Sequence, residues 1–460
     1  MTINQPQMFL NYFDQLVVAM NGTLYTGTTR HPIGDVNRCS YACGTGGTMG
    51  SFDPTDRLTS TALTSSSTVT ATGVDVTASS SGYDISADGT TITGWYYDTV
   101  DTLPQTRGFR WVIGSNPVAL PISSSSDIGM LLSDDGMVII GSSTSLQRTS
   151  RSVSAGGLTQ LGSLGITDTI NYNHPQRLTW GMDSAFGNWP FSCVSSDGLA
   201  VAGTADPGTS FLMLVRGDAW EWSSLAGMSY LSPAPYATSG SYSVVTGIAK
   251  TSKRIIGMVT TSHTHACYWD AGILTYLSPP VEVGVGQTYD MHATAISDDG
   301  SKILGQIQLQ SGARHPFIWS GGVTTIVSGG SESANLLSGD GSTRTGRPGS
   351  RLDLEINGVS VGHYSSYTQL EPMGLSYSGS TVIGVSGTTD STAPTHAWAW
   401  SVAFGFIGLP SLGGQYTFAT AISNDGSRIS GTAADINEDY HACYWDLVGN
   451  VATIHQIPTW

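Results

Sequence analysis

The decapeptide Ile296–Gly305, with the sequence ISDDGSKILG, returns nearly unchanged at Ile422–Gly431 as ISNDGSRISG. In both copies an apolar residue and a serine precede an x-Asp-Gly turn, and four further residues lead to a closing glycine. Asp-Gly favours a tight hairpin because both of its residues accept positive φ. The Asp carboxylate also stabilises such a turn by accepting bonds from nearby backbone N–H groups. The decapeptide therefore predicts two antiparallel strands joined by a turn.

The decapeptide recurs along the chain, which identifies an internal repeat. The nine copies begin 38 to 67 residues apart. The residues after the turn, such as MVII at 137–140, are apolar without alternation. That pattern is typical of a strand covered on both faces. The remaining copies are Val18–Gly27, Ile85–Gly94, Leu132–Gly141, Val194–Gly203, Ile248–Gly257, Leu337–Gly346 and Leu375–Gly384.

A second phrase follows most copies and ends on a tryptophan, namely Trp111, Trp269, Trp319, Trp400 or Trp445. A short Gly-rich or polar turn and another strand come next. Two hairpins give four strands in about 40–50 residues, which is the size of one propeller blade. The sequence therefore predicts an all-β fold, a β-propeller of four-stranded blades with eight to nine repeat units. A parallel β-solenoid is less favoured because it needs a shorter and stricter period.

The alternation of S-x-D-G-x-x-x-x-G with His-Ala-aromatic-x-Trp, as in His396–Trp400, resembles the HAF repeat family. The resemblance covers roughly residues 18–455. It implies a propeller-type repeat, found mostly on bacterial extracellular proteins of unassigned activity. Such proteins carry a secretion signal, whereas residues 1–20 show neither a basic segment nor the usual apolar stretch. A surface protein without a signal is expected to be a virion component, which leaves the cell by lysis.

The composition agrees with a sheet protein and excludes several classes. Charged residues are 11% of the chain, against about 25% in average proteins, and 57 residues are glycine. The net charge of −16 and the 18 basic residues exclude nucleic-acid binding and oppose an anionic membrane surface. No apolar window is long enough to span a membrane. Cys39 and Cys43 form the one close cysteine pair, for which two buried thiols are favoured over zinc.

Six aspartates occupy one position of the repeat and are predicted to stabilise turns: Asp88, Asp135, Asp197, Asp299, Asp340 and Asp425. Calcium is not predicted because the alternating acids of a calcium loop are missing. Four histidines also share one position, namely His265, His315, His396 and His441. A residue repeated in every blade is spread around a ring, so each imidazole is expected to bond the backbone. Cys267 and Cys443 are expected to lie too far apart for a disulfide.

Interruptions of the repeat are the predicted binding sites, because loops on a rigid scaffold usually carry recognition. They are a Ser/Thr-rich insertion or docking arm at 56–81, an aromatic-rich insertion at 165–191 and the segment 228–242. Exposed aromatic residues there suit protein or glycan contact, with packing over the ring as the equal alternative. The candidates are Tyr172, Trp180, Trp189, Tyr230 and Tyr236.

The sequence as a whole predicts one propeller domain over residues 1–460, without catalytic residues, metal or cofactor. The first hypothesis is a non-enzymatic structural or binding protein of a bacteriophage virion, as a head decoration, spike or tail-associated adhesin. Its partners are other virion proteins and, for host attachment, a glycan or protein of the host surface. A bacterial surface or secreted HAF-repeat propeller, located outside the cell, is the first alternative. A glycan-active enzyme on a propeller scaffold is the second.

Overall fold

The computed structural model describes residues 7–10, 15–20, 23–28, 79–98, 105–120, 127–143, 148–153, 158–161, 172–174, 194–206, 218–233, 241–283, 288–327, 333–347, 354–361, 369–387 and 395–458. The chain divides into two compact units. One unit comprises Met1–Val76 with Thr388–Pro394, and the other comprises Thr77–Gly387 with Thr395–Trp460.

The smaller unit contains an antiparallel sheet of three strands, β1 (Gln7–Leu10), β2 (Gln15–Met20) and β3 (Thr23–Thr28). The first decapeptide copy forms the β2–β3 hairpin, in which Val18 pairs with Tyr25. This copy is a hairpin as predicted, but it belongs to a three-stranded sheet outside the repeat of four-stranded blades.

The larger unit contains eight groups of four consecutive antiparallel strands, which we number as blades 1 to 8. Blade 1 is β4 (Ser80–Ile85), β5 (Thr91–Asp98), β6 (Gln105–Val112) and β7 (Val118–Ala119), and blade 2 is β8 (Asp127–Leu132), β9 (Val138–Ser143), β10 (Arg148–Val153) and β11 (Leu158–Gln160). Blade 3 is β12 (Tyr172–His174), β13 (Ala200–Asp206), β14 (Asp218–Ser223) and β15 (Gly227–Tyr230), and blade 4 is β16 (Tyr242–Ile248), β17 (Ile255–Thr260), β18 (Thr264–Asp270) and β19 (Ile273–Tyr276). Blade 5 is β20 (Tyr289–Ile296), β21 (Lys302–Leu309), β22 (Arg314–Ser320) and β23 (Val323–Ile326), and blade 6 is β24 (Ser333–Leu337), β25 (Arg344–Arg347), β26 (Glu355–Ile356) and β27 (Val359–Ser360). Blade 7 is β28 (Gln369–Leu375), β29 (Thr381–Gly387), β30 (His396–Ser401) and β31 (Gly405–Gly408), and blade 8 is β32 (Gly413–Ile422), β33 (Arg428–Asp435), β34 (Tyr440–Val448) and β35 (Val451–Gln456).

The first strands of the blades surround the axis of the ring. Strands β16, β20, β24, β28, β32, β4 and β8 contact one another in that order, which leads from blade 4 through blade 8 back to blades 1 and 2. Blades 1 and 2 are also joined by one parallel bridge between Arg107 and Asp127. The all-β propeller fold predicted from the sequence is therefore confirmed.

The ring is closed by eight backbone hydrogen bonds between neighbouring decapeptide turns, which fixes the blade number at eight. The last of them runs from the N–H of Asn424 in blade 8 to the carbonyl of Ala87 in blade 1, at 2.9 Å. The others run from Ala87 to Asp134, Asp134 to Ser196, Ser196 to Lys250, Thr251 to Asp298, Asp298 to Gly339, Asp340 to Tyr377 and Tyr377 to Asn424. Eight is the smaller of the two predicted numbers, because the copy at Val18–Gly27 adds no blade between blades 8 and 1.

The second strands are buried on both faces, as their uninterrupted apolar sequences predict. Ile256 and Ile303 are fully buried and share one core cluster with Phe317, so this cluster spans blades 4 and 5. The equivalent cluster at the closure joins Ile92 of blade 1 to Tyr444 of blade 8. Apolar cores therefore lie between adjacent blades and continue across the closure.

The closing glycine of the decapeptide is required by two close neighbours. A Cβ on Gly257 would lie 1.9 Å from the carbonyl oxygen of Val244, and one on Gly431 would lie 2.0 Å from that of Phe418. The second neighbour is an aromatic side chain of the third strand. At Gly384 of blade 7, for example, a Cβ would collide with the indole of Trp398. A β-bulge bends the first strand at the same place in seven blades. Its register shifts lie at Gly82/Asp84, Gly129/Leu131, Val245/Gly247, Ala293/Ala295, Ala334/Leu336, Pro372/Gly374 and Ala419/Ala421.

The tryptophans of the second phrase end the third strands and are buried, in agreement with the predicted packing between blades. Trp269 of blade 4 donates through Nε1 to the carbonyl of Ser232, which follows the last strand of blade 3. Trp445 of blade 8 donates in the same way to Pro410, after the last strand of blade 7, at 2.8 Å. The indoles of Trp269 and Trp445 therefore fix their blades to the preceding ones.

Candidate functional site

One end of the ring carries two sets of turns. Because the strands of a blade alternate in direction, the decapeptide turn between strands 1 and 2 lies at the same end as the turn between strands 3 and 4. We call this end the turn face. The opposite end, which carries the turns between strands 2 and 3 and the connections between blades, is the loop face.

The aspartates of the turn face hold their own turns. The Asp299 carboxylate accepts a bond from Ser297 Oγ at 2.6 Å and one from the N–H of Ser301 at 2.9 Å. Those bonds lower the pKa of Asp299. The same pair of bonds, at 2.6–3.0 Å, occurs at Asp88, Asp135, Asp197, Asp340 and Asp425. All six carboxylates therefore contribute to turn geometry.

The turn conformation differs from the one that the sequence predicts. Positive φ occurs at the glycine alone, for example 75° at Gly300, and not at the preceding Asp. The reason is that four residues separate Ser297 from Lys302, so the loop does not need two left-handed residues. The predicted conformation occurs instead between strands 3 and 4, where Asn357 and Gly358 have φ of 53° and 83°.

Basic side chains of the turn face join neighbouring blades. The guanidinium of Arg254 donates to the carbonyl of Gly300 in blade 5 at 2.8 Å and to both carboxylate oxygens of Asp270 in its own blade. The turn glycine of the next blade accepts the same type of bond, at 2.8–3.1 Å, in four further junctions. These bonds run from Arg110 to Gly136, Arg151 to Gly198, Lys302 to Gly341 and Arg428 to Gly89. These five cations of the turn face are therefore occupied within the ring.

A charged group lies where the turns approach the axis. Lys250 Nζ contacts Asp134 Oδ1 at 2.6 Å across blades 2 and 4. Burial lowers the pKa of Lys250, but the carboxylates of Asp134 and Asp298 outweigh it, so that its pKa is raised. Burial raises the pKa of Asp298. Lys250, Asp134 and Asp298 therefore link blades 4, 2 and 5 electrostatically, and their formal charges sum to −1.

The described charged side chains that are at least partly exposed on the turn face nearly balance. Eleven are acidic and eight are basic, a formal net charge of −3, whereas the whole chain carries −16. The acidic set is Asp88, Asp134, Asp135, Asp197, Glu221, Asp270, Asp298, Asp299, Asp340, Asp425 and Asp446, and the basic set is Arg110, Arg151, Lys250, Lys253, Arg254, Lys302, Arg344 and Arg428.

Exposed apolar side chains surround the turn face in every blade whose outer turn is described. They lie at the turns between strands 3 and 4 and are 53–97% exposed. We call them the rim set: Val118, Leu225, Ile273, Val323, Val359, Val402, Phe404, Val448 and Val451. Sequence analysis missed this set, although its signal is present as an apolar residue beside each short turn of the second hairpin.

Two of the five predicted binding residues lie in described strands of blade 3. Tyr172 lies in strand β12 of blade 3, paired with Asp206, and therefore belongs to the blade rather than to an insertion. Tyr230 lies in the outer strand β15, and burial, reinforced by Asp218, raises the pKa of its phenol to about 12. Trp180, Trp189 and Tyr236 lie outside the described residues.

Parts of the three predicted interruptions lie in blade strands. Residues 80 and 81 of the segment 56–81 begin the first strand of blade 1, and residues 56–78 lie outside the description. Residues 228–230 and Tyr242 of the third segment are ordinary strand residues of blades 3 and 4. Of the segment 165–191, the structure describes 172–174 as the first strand of blade 3.

The repeated histidines and cysteines lie in separate blades, as expected. The imidazole of His441 faces Asp435 at 3.4 Å, and that of His265 contacts the rings of Tyr276 and Tyr289, so these two contact side chains where backbone bonds were predicted. Cys267 and Cys443 are buried and unbonded, which confirms their separation. Cys39 and Cys43 lie outside the description.

The described residues contain neither a cluster of metal-ligating side chains nor a helix that could span a membrane. No three side chains of His, Cys, Asp or Glu are grouped there as a metal site requires. Within the same residues, no helix has the length and apolarity to cross a bilayer.

Comparisons with known proteins concern the fold alone. No family model matches the chain, and no curated protein is similar to it in sequence. Among solved structures, TolB from Acinetobacter baumannii is 15% identical at a TM-score of 0.31, over 64% of this chain and 62% of TolB. A prolyl endopeptidase is 11% identical at 0.47, over 81% and 55%. The β-propeller domain of the Trilobed protease from Pyrococcus furiosus is 8% identical at 0.42, over 83% and 98%. This chain thus spans only part of the length of the first two neighbours.

Proposed function

We propose that this chain is a non-enzymatic binding and structural protein that presents its turn face to a protein partner. The observation that carries the proposal is the rim set, which repeats an exposed apolar side chain at seven of the eight outer turns. Each of these turns exposes only one or two such side chains, but they repeat at the same turn, so a flat partner would contact them together. Tyr230 and Tyr172, which the sequence offers as contacts, belong to the blades instead.

The charges of the turn face are compatible with a protein partner, since its described, partly exposed charged side chains amount to a formal charge of only −3. The bonds between basic side chains and turn carbonyls also hold the face rigid, which reduces the entropic cost of binding.

We further propose that the partner assembly is a bacteriophage virion, with this chain as a head decoration, spike or tail-associated adhesin. The support is the Ser/Thr/Gly-rich and Lys-poor composition together with the resemblance of both phrases to the HAF repeat. A bacterial surface or secreted propeller shares that resemblance and is the competing proposal.

Mass spectrometry of purified phage particles tests the virion role. We expect peptides of this chain in the particles, and we expect Leu225→Glu with Phe404→Glu to reduce incorporation at least tenfold. Val281→Glu with Ile436→Glu on the loop face, where both residues are at least 80% exposed, is the matched control and is expected to incorporate normally. Particles without the chain would contradict the virion role, and normal incorporation of the turn-face variant would contradict the assigned face.

A further inference from the structure

We infer that the turn face binds the turn face of a second copy of this chain, which gives a face-to-face dimer of two rings. The inference deepens the proposed function by naming the partner, and it rests on the same face but not on the virion role. Three observations carry it: the repetition of the rim set, the charge of the face and the apolar area.

The repetition determines what kind of partner covers the face. Leu225 and Phe404 lie in blades 3 and 7, on opposite sides of the eight-bladed ring. A small partner that covers one of them leaves the other in water. A second ring offers apolar side chains at the same radius and at the same angular spacing. An isologous two-fold contact needs only a patch that complements itself, and two-fold dimers are the commonest oligomers of soluble proteins.

The charges of the turn face oppose this contact only weakly. The described, partly exposed charged side chains of each turn face amount to a formal charge of −3. Most of the acidic groups there already accept short bonds, as Asp299 does from Ser297 and Ser301. The remaining repulsion is screened by salt, so salt strengthens the dimer.

The apolar area is sufficient for a stable dimer. At their exposures, side chains of this size each offer on the order of 100 Å². The nine members of the rim set therefore approach the about 800 Å² that each partner contributes to a standard interface. On the loop face, the described residues with comparable exposure are Val281 at 91% and Ile436 at 80%. These two residues are too few to support the same contact and provide a control.

Sedimentation equilibrium of the purified full-length chain tests the inference. The wild type is expected to have twice the chain mass of 48.2 kDa at micromolar concentration, with tighter association in 0.5 M than in 0.05 M sodium chloride. Leu225→Glu with Phe404→Glu is expected to weaken the dimer at least 100-fold. Val281→Glu with Ile436→Glu is expected to leave it unchanged. All the replaced side chains are exposed, so the melting temperatures are expected to agree.

Each other outcome overturns the face-to-face dimer. A wild type that stays monomeric at about 100 μM rejects it, because a standard interface of this size is stable well below that concentration. A dimer that survives the turn-face substitutions, or that the loop-face substitutions dissociate, places the contact elsewhere. If the wild type is monomeric while the turn-face variant still fails to enter particles, the face binds a different protein. The proposed function then stands and this inference fails.

Discussion

The hydroxyl oxygens of Ser81 and Thr432 lie 2.6 Å apart, although 351 residues separate them along the chain. They join the first strand of blade 1 to the second strand of blade 8. Ser80 Oγ adds a bond from the N–H of Ala442 at 2.8 Å. No strand is exchanged between these blades, since each consists of four consecutive strands. Short polar contacts and the apolar cluster around Ile92 therefore close the ring.

The first prediction concerns this closure. Ser80→Ala removes the acceptor for the N–H of Ala442, and Ser243→Ala removes the equivalent acceptor for Ala219 between blades 3 and 4. Each change leaves a buried N–H without its partner and is expected to cost about 1–3 kcal/mol. Hydrogen exchange of the backbone amides distinguishes the two variants. Ser80→Ala is expected to accelerate exchange at the Asn424 amide selectively, because no chain connection holds blades 8 and 1 together. Equal acceleration by Ser243→Ala would show that the closure is no weaker than the other junctions.

The turn aspartates give the second prediction. Asp299→Ala and Asp425→Ala are each expected to lower the free energy of unfolding by about 0.5–2 kcal/mol, because the bonds from serine and backbone N–H are lost. Ser378 occupies the same position in Leu375–Gly384, a copy that keeps the serine and the turn glycine but lacks the aspartate, so Ser378→Asp is expected to raise stability. Urea unfolding measures all three. A chelator is expected to leave the melting temperature unchanged, and a large decrease would reveal a bound cation.

The closing glycines give the third prediction. Gly257→Ala and Gly431→Ala place a methyl group about 2 Å from a backbone carbonyl of the first strand, which no side-chain rotation relieves. Each is expected to cost about 3 kcal/mol or more. Gly247→Ala is the matched control, since its nearest neighbour is Ile256 at 3.4 Å, and it is expected to change stability by less than about 1 kcal/mol. Thermal melts in which all three variants are equivalent would contradict the steric role.

The buried tryptophans give the fourth prediction. Trp269→Ala and Trp445→Ala are each expected to cost roughly 3–5 kcal/mol, because a fully buried indole is lost from the space between two blades. Trp269→Phe and Trp445→Phe keep most of the apolar volume but lose the bond to Ser232 or Pro410, so they are expected to cost less than half as much. Calorimetric melts compare the four variants, and an Ala variant as stable as its Phe counterpart would contradict the packing role.

Acid sensitivity gives the fifth prediction. Burial lowers the pKa of His292 from its usual 6.5 to about 4, against the opposing charge of Asp290 and with a smaller contribution from Arg314. The unfolded chain therefore binds a proton first as the pH falls, and stability is lost between pH 6.5 and about 4. The free energy of unfolding lost at this histidine is expected to be roughly 3 kcal/mol.

Urea unfolding of His292→Gln is expected to show a smaller loss of unfolding free energy over this pH range, whereas the control His315→Gln is expected to follow the wild type. A His292 variant that follows the wild type would refute the assignment.

The blades were predictable because their determinants are local. A decapeptide such as Ile296–Gly305 contains its own apolar strand, turn carboxylate and closing glycine, and eight of its nine copies form equivalent blade hairpins. The ninth copy, Val18–Gly27, has the same local pattern but forms no blade. It is excluded because Asn424 of blade 8 bonds directly to Ala87 of blade 1, a long-range contact that the local sequence does not encode. The site was less predictable because exposure depends on neighbouring blades. Tyr230 and Val359 are both apolar or aromatic residues near turns, yet only Val359 is exposed.

The consecutive order of strands within every blade determines how the number of blades can change. In this chain, duplication or deletion of one unit, such as Tyr242–Tyr276 with its connection, changes the circumference without leaving an unpaired strand. Unit number is then limited by the angle at which blades pack and not by connectivity.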